Sequence, residues 1–204
     1  MLDKYRKRAD FILEPIAEKV DMKPNTLTFI SLLFAALAGF SFYFSYEFIF
    51  LLLIVPFLIL ANGFLDALDG KVARLKKEES KKGDFIDHAI DRFADVFIVG
   101  GIAASPWCSS LVGVAAISAM LLTSYMGTQA QAVGYGREYG GLLGRADRLV
   151  ILIFAPFVQY ALFVNDVSIF GWSFLQWVMI YFAVVGIITA VQRFFAVLRW
   201  FEKA

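Results

Sequence analysis

Four aspartates stand at helical spacing in one part of the sequence, Asp66 with Asp69 and Asp87 with Asp91. Residues three or four apart share a helix face, so each pair predicts two carboxylates aimed the same way. Four carboxylates turned together repel strongly in a poorly solvated site. A divalent cation, or two, is the usual resolution, because hard cations take carboxylate oxygens. Gly70 and Ala73 keep side chains short in the same stretch and leave room for a ligand at the backbone, while Arg74 adds a fork that matches phosphate. Solvated helix ends would explain one such Asp. They do not explain four on two facing helices with Gly, Ala and Arg at these offsets.

A second group is cationic. Arg145 and Arg148 are three apart, and Arg193 lies further along the chain. Three guanidinium groups near one cavity suit a phosphate-bearing molecule. Arg137 and Arg199 are read here as surface anchors. Asp95, one turn beyond Asp91, is placed to support the acidic group, and His88 lies about 100° round the helix from Asp87, where capping or packing fits better than catalysis. No Walker A motif, zinc-type Cys/His cluster or Ser-His-Asp arrangement is visible, and the single Cys108 excludes an internal disulfide.

The elements that must position these groups are apolar. Of 204 residues 60% are hydrophobic and only 18% charged, and five stretches hold no Asp, Glu, Lys or Arg: 24–46, 48–65, 96–136, 149–165 and 167–192. A span needs about 20 apolar residues, so four stretches fit one each and 96–136 fits two. The expected fold is an all-α integral membrane protein of six transmembrane helices, near 24–46, 48–68, 87–105, 111–133, 148–165 and 170–195, forming one domain over 1–204. Residues 1–23 are amphipathic and mixed in charge, which predicts an interfacial helix with Tyr5, Phe11, Ile12, Ile16 and Val20 facing inward. All 19 basic residues fall in or beside the termini and the loops 2–3 and 4–5. By the positive-inside rule both termini and the acidic group lie on the cytoplasmic face.

The pattern D-x2-D-G-x2-A-R-x8-G-x3-D-x3-D, unbroken from Asp66 to Asp91, resembles the signature of the CDP-alcohol phosphatidyltransferase family. The six-span plan with its interfacial helix resembles that family too. The resemblance implies two divalent ions, Mg²⁺ or Mn²⁺, held by Asp66, Asp69, Asp87 and Asp91, with Asp91 also the general base. It implies a CDP-linked lipid donor bound by Asn25, Thr28, Asp66, Asp69, Gly70, Ala73, Arg74 and Ser80. The region from Ser124 to Arg148 resembles the branch that uses inositol phosphate. Arg145, Arg148 and Arg193 would then hold the phosphate of a small phosphorylated polyol, inositol 1-phosphate first. Bacterial members of that branch carry basic residues where this chain has Gly127 and Gln129. Glycerol 3-phosphate is the main alternative acceptor, and serine a weaker one. Membrane lipids rather than nucleic acid are the expected surroundings, and small residues in spans 3 and 4 are compatible with a homodimer. An ion-coupled transporter is the remote alternative, but it would place its acids at the midplane and not at one face.

Overall fold

Proline and serine set where the helices begin. Pro24 opens α1 (Pro24–Phe44) at a position that needs no N–H donor. The Ser80 hydroxyl accepts the Gly83 N–H at 3.1 Å and starts α3 (Lys81–Ala104). Between them runs α2 (Leu51–Lys76), which ends where Lys77 turns left-handed and closes onto the Ala73 and Arg74 carbonyls. Pro106 stops α3, since the residue before a proline is pushed to extended backbone. α4 (Ser110–Ala132) follows. The Gly144 N–H donates to Asp147 Oδ2 at 3.0 Å at the start of α5 (Arg145–Val164), and Ser173 caps α6 (Phe174–Phe201) by accepting the Gln176 N–H at 2.9 Å.

The computed structural model describes residues 13–203, and among them no strand forms beyond one isolated Ile169–Trp172 bridge. Among the described residues five helices, α1, α2, α4, α5 and α6, are long and apolar enough to cross a membrane. The chain is an all-α integral membrane protein. Its outward faces carry large apolar side chains, such as Phe57 (65% exposed) and Phe154 (63%), that only lipid would cover without penalty. α3 has the length of a span, but it carries Asp84, Asp87, Asp91, Arg92 and Asp95.

Several helices outrun the spans expected from the charge-free stretches. α2 continues to Lys76, α3 starts at Lys81, α5 starts at Arg145 and α6 runs from Phe174 to Phe201. Most of the expected interfacial helix, with Tyr5, Phe11 and Ile12, lies outside the described residues. Within them, residues 13–17 are helical. Leu13 and Ala17 are buried against Leu27, Leu68 and Val72, with Val20 packed beside them, while Ile16 is exposed. The described part of this segment thus turns Leu13 and Ala17, with Val20, toward α1 and α2.

α1 packs against both α2 and α3, α4 against α3 and α6, and α5 joins α2 to α6. The core holds Phe42, Ile59, Ile98, Met120, Leu152 and Phe182, all nearly inaccessible. The α1–α3 crossing is at its closest at two glycines: a Cβ on Gly101 would overlap the Gly39 backbone, and one on Gly39 would overlap the Phe97 carbonyl. A Cβ on Gly113 would likewise crowd Ala103. Gly101, Ala103 and Gly113, among the small residues that were compatible with a homodimer, are thus taken up between helices of one chain.

The two ends of the bundle differ. At the Trp107 end, the indole Nε1 donates to Ser45 Oγ at 2.8 Å, the Ser173 hydroxyl donates to the Trp107 carbonyl, and the Ser109 N–H donates to Gln176 Oε1 at 3.1 Å. Tyr46 and Phe163 pack edge-on against the same indole. That end is closed by side chains. The other end opens into a cavity.

Candidate active site

The cavity has a volume of about 680 Å³ and lies among α1, α2, α3, the start of α5 and the end of α6. α2 and α3 run antiparallel and bring three carboxylates together: an oxygen from each of Asp66, Asp87 and Asp91 lies within 4.8 Å of the others. Oxygen donors at that spacing are what a hard divalent cation takes. Asp69 lines the same cavity but is not in that trio. It is 4% exposed, and its Oδ2 accepts the Thr28 hydroxyl, which ties α2 to the first turn of α1.

Charge in the site is balanced from α5. Arg145 Nη1 stands 2.8 Å from Asp66 Oδ2 and 2.7 Å from Asp91 Oδ1, and its Nε is 3.7 Å from Asp95 Oδ1. Behind it, Arg148 Nη2 is 2.7 Å from Asp95 Oδ2, with both side chains almost wholly buried. Arg92 lies 3.5 Å from Asp91 and 3.8 Å from Asp95, and its guanidinium also donates to Ser124. Arg193 is held by two carbonyls, Gly140 (2.8 Å from Nε) and Thr123 (2.6 Å from Nη1). All three arginines expected at an acceptor phosphate therefore line the cavity, and each has partners within the chain. Asp95 supports the group as the spacing suggested, by gathering arginines rather than by joining the acids.

The residues expected around a nucleotide are also here. Asn25, Thr28, Gly70, Ala73, Arg74 and Ser80 line the cavity together with the aspartates. A Cβ at Gly70 would meet only the Arg74 guanidinium, at an ordinary contact distance of 3.5 Å, so packing within the chain does not itself demand glycine there.

A match to the family model described as CDP-alcohol phosphatidyltransferase spans residues 22–197. The chain belongs to the CDP-alcohol phosphatidyltransferase family. It is 34% identical over 182 residues to the archaetidylinositol phosphate synthase of Pyrococcus horikoshii, covering 86% of this chain and 94% of that one. It is 30% identical over 193 residues to the enzyme of that name from Methanothermobacter thermautotrophicus, covering 95% and 92%. Its fold is similar to the phosphatidylinositol phosphate synthase of Mycobacterium tuberculosis, whose crystal structures include one with CDP-DAG bound and one with manganese and citrate. The first superposes with a TM-score of 0.73 at 22% identity, over 91% of this chain and 93% of that one. The second gives 0.74 at 22% identity, over 91% and 88%.

The transferase also has cavity residues that sequence reasoning passed over. His88 and Arg137, read above as packing and anchoring residues, both line the cavity. The His88 imidazole sits 3.1 Å from Asp84 and 3.6 Å from Asp87, and the Arg137 guanidinium lies against it. His88 follows a candidate metal ligand, which was a signal. Arg137 offered little beyond Tyr139 two residues on, because its placement depends on the path of the loop 133–144.

Proposed function

We propose that this transferase moves a phosphatidyl or archaetidyl group from a CDP-linked lipid to a hydroxyl of a small phosphorylated polyol, inositol 1-phosphate first, and releases CMP. The observation that carries the reading is the trio of carboxylates within 4.8 Å, facing a cavity that arginines line from α3, α5 and α6. In the reaction the polyol oxygen bonds to the phosphorus that bears the lipid. The bond from that phosphorus to the CMP oxygen breaks, and the hydroxyl proton passes to a carboxylate. Asp91 is the candidate base: it is 8% exposed, lines the cavity, and its oxygen already holds a cationic partner that would steady it.

Asp66, Asp69, Asp87 and Asp91 would hold two divalent ions, Mg²⁺ or Mn²⁺. Those ions would supply positive charge against the donor diphosphate and the departing CMP. Asn25, Thr28, Gly70, Ala73, Arg74 and Ser80 would seat the CDP part, and Arg145, Arg148 and Arg193 the acceptor phosphate. The similarity to archaetidylinositol phosphate synthases supports inositol phosphate over glycerol 3-phosphate or serine. The reading includes α3 as the sixth span, and an amphipathic N-terminus lying in the interface. Both termini and the cavity are then cytoplasmic, as the basic residues of the sequence support.

An acceptor panel tests the reading. Purified protein with CDP-lipid and Mg²⁺ is offered inositol 1-phosphate, glycerol 3-phosphate, serine and free inositol, and CMP is measured. Inositol 1-phosphate is expected to give the highest rate. Free inositol or serine outpacing both phosphorylated acceptors would overturn it.

A further inference from the structure

The loop between α4 and α5 crosses directly over Gly127. A Cβ at that position would come 2.8 Å from the Glu138 carbonyl oxygen and 3.1 Å from Arg193 Nη1, so the closeness of loop and helix requires glycine here. The loop is also tied down further along. Arg193 Nε donates to the Gly140 carbonyl at 2.8 Å, and the buried Leu143 donates its N–H to Thr189 Oγ1 at 3.1 Å. Arg137 is thereby held over the cavity, half-buried, with its guanidinium 5.3 Å from the centre of the Tyr139 ring.

No carboxylate pairs with it at close range, although Asp87 stands near enough to feel its charge. Among the described residues no carboxylate lies within ion-pair distance of Arg137, whereas Arg92, Arg145 and Arg148 each face one or more aspartates. The adjacent acid is turned elsewhere: Glu138 accepts the Gly140 N–H and the Tyr135 hydroxyl, and that second contact pushes the Tyr135 phenol above its ordinary value. The guanidinium carries five donors, and among the described residues its contacts are one imidazole and one ring face. A half-buried guanidinium on a cavity wall with no carboxylate partner is suited to an anion that enters the cavity.

We propose that Arg137 binds the phosphate monoester of the acceptor and sets the preference for phosphorylated acceptors. This rests on the phosphorylated-acceptor reading above. Tyr139 and the loop anchors preorganise the side chain, so little rotamer freedom is lost when the anion arrives.

The test uses the full chain with CDP-lipid, Mg²⁺ and inositol 1-phosphate, and adds inorganic phosphate as the probe. In the wild type, phosphate should compete with the acceptor. In Arg137→Ala the phosphate Ki and the acceptor KM should both rise about 10- to 100-fold, the range of one charge-assisted contact. The CDP-lipid KM should stay within about twofold of wild type, which also shows that the variant folds and binds donor. Arg137→Lys should recover part of the loss, because an ammonium keeps the charge but not the fork. An unchanged Ki and acceptor KM in Arg137→Ala would overturn the inference, as would a rise confined to the CDP-lipid KM. A different result separates the two claims. If phosphate does not compete in the wild type and free inositol serves as well as its phosphate, the phosphorylated-acceptor reading itself fails and takes this inference with it.

Discussion

Arg145 stands between the carboxylates of Asp66 and Asp91, and this shapes what each substitution should do. Asp91→Asn keeps the shape of the side chain but removes the proton acceptor and one ion pair to Arg145. Turnover should fall by about 10²–10⁴-fold, the usual range for a general base, and with the metal kept saturating the donor affinity should change far less. A variant that keeps more than about a tenth of wild-type turnover would remove Asp91 from the role. Asp66→Asn and Asp87→Asn each delete an anionic oxygen donor from the trio. Both should weaken Mn²⁺ binding as followed by the paramagnetic signal of the free ion, and EDTA should abolish CMP release from the wild type, with Mg²⁺ or Mn²⁺ restoring it. Full activity in excess chelator would be fatal to the metal assignment. The acids were legible in the sequence because their spacing is a property of single helices. The pairing of Arg145 with Asp66 and Asp91 was not, since it joins α5 to α2 and α3 and depends on how those helices pack. Arg137 was hidden for a related reason. Its loop turns through positive φ at Gly134, Gly136 and Gly141, and no helical or strand period predicts such a path.

At the scale of the helices, the α1–α3 crossing controls the site from a distance. α1 carries Asn25 and Thr28, α3 carries Asp87 and Asp91, and Gly39 against Gly101 sets their separation. Gly101→Ala places a methyl group into backbone atoms that cannot rotate away, so the helices must part. Overpacking of this kind destabilises by about 1–3 kcal/mol. Thermal unfolding in detergent should show a lower midpoint, and turnover should fall with it. Gly39→Ala should act alike, and the double variant should lose less than the sum, because one displacement relieves both contacts. An unchanged midpoint in Gly101→Ala would show that the crossing is looser than described. Charge-free stretches revealed where the apolar helices lie because burial in lipid demands continuous apolar sequence. They do not mark helix ends, because a helix already propagating continues into charged residues until a cap or proline stops it. α2 runs on to Lys76 and α3 begins at the Ser80 cap for that reason.

For the molecule as a whole, the arrangement of loops can be tested without any substrate. With Cys108→Ser as background, single cysteines at Ser80 and at Ser168 should react with a membrane-impermeant maleimide from opposite sides of sealed vesicles. Ser80 should label from the cytoplasmic side, the side given by the basic loops. Labelling of both from one side would refute the six-span topology, since it would put α3 outside the bilayer. The closure of the Trp107 end bears on membrane asymmetry. Indole, serine and glutamine contacts join the helices at one end of the bundle, and the cavity that would take the donor lies at the other. Such an enzyme makes new headgroups without turning any lipid over. On the function proposed above, every lipid molecule that it produces would be left in the leaflet that supplied its precursor.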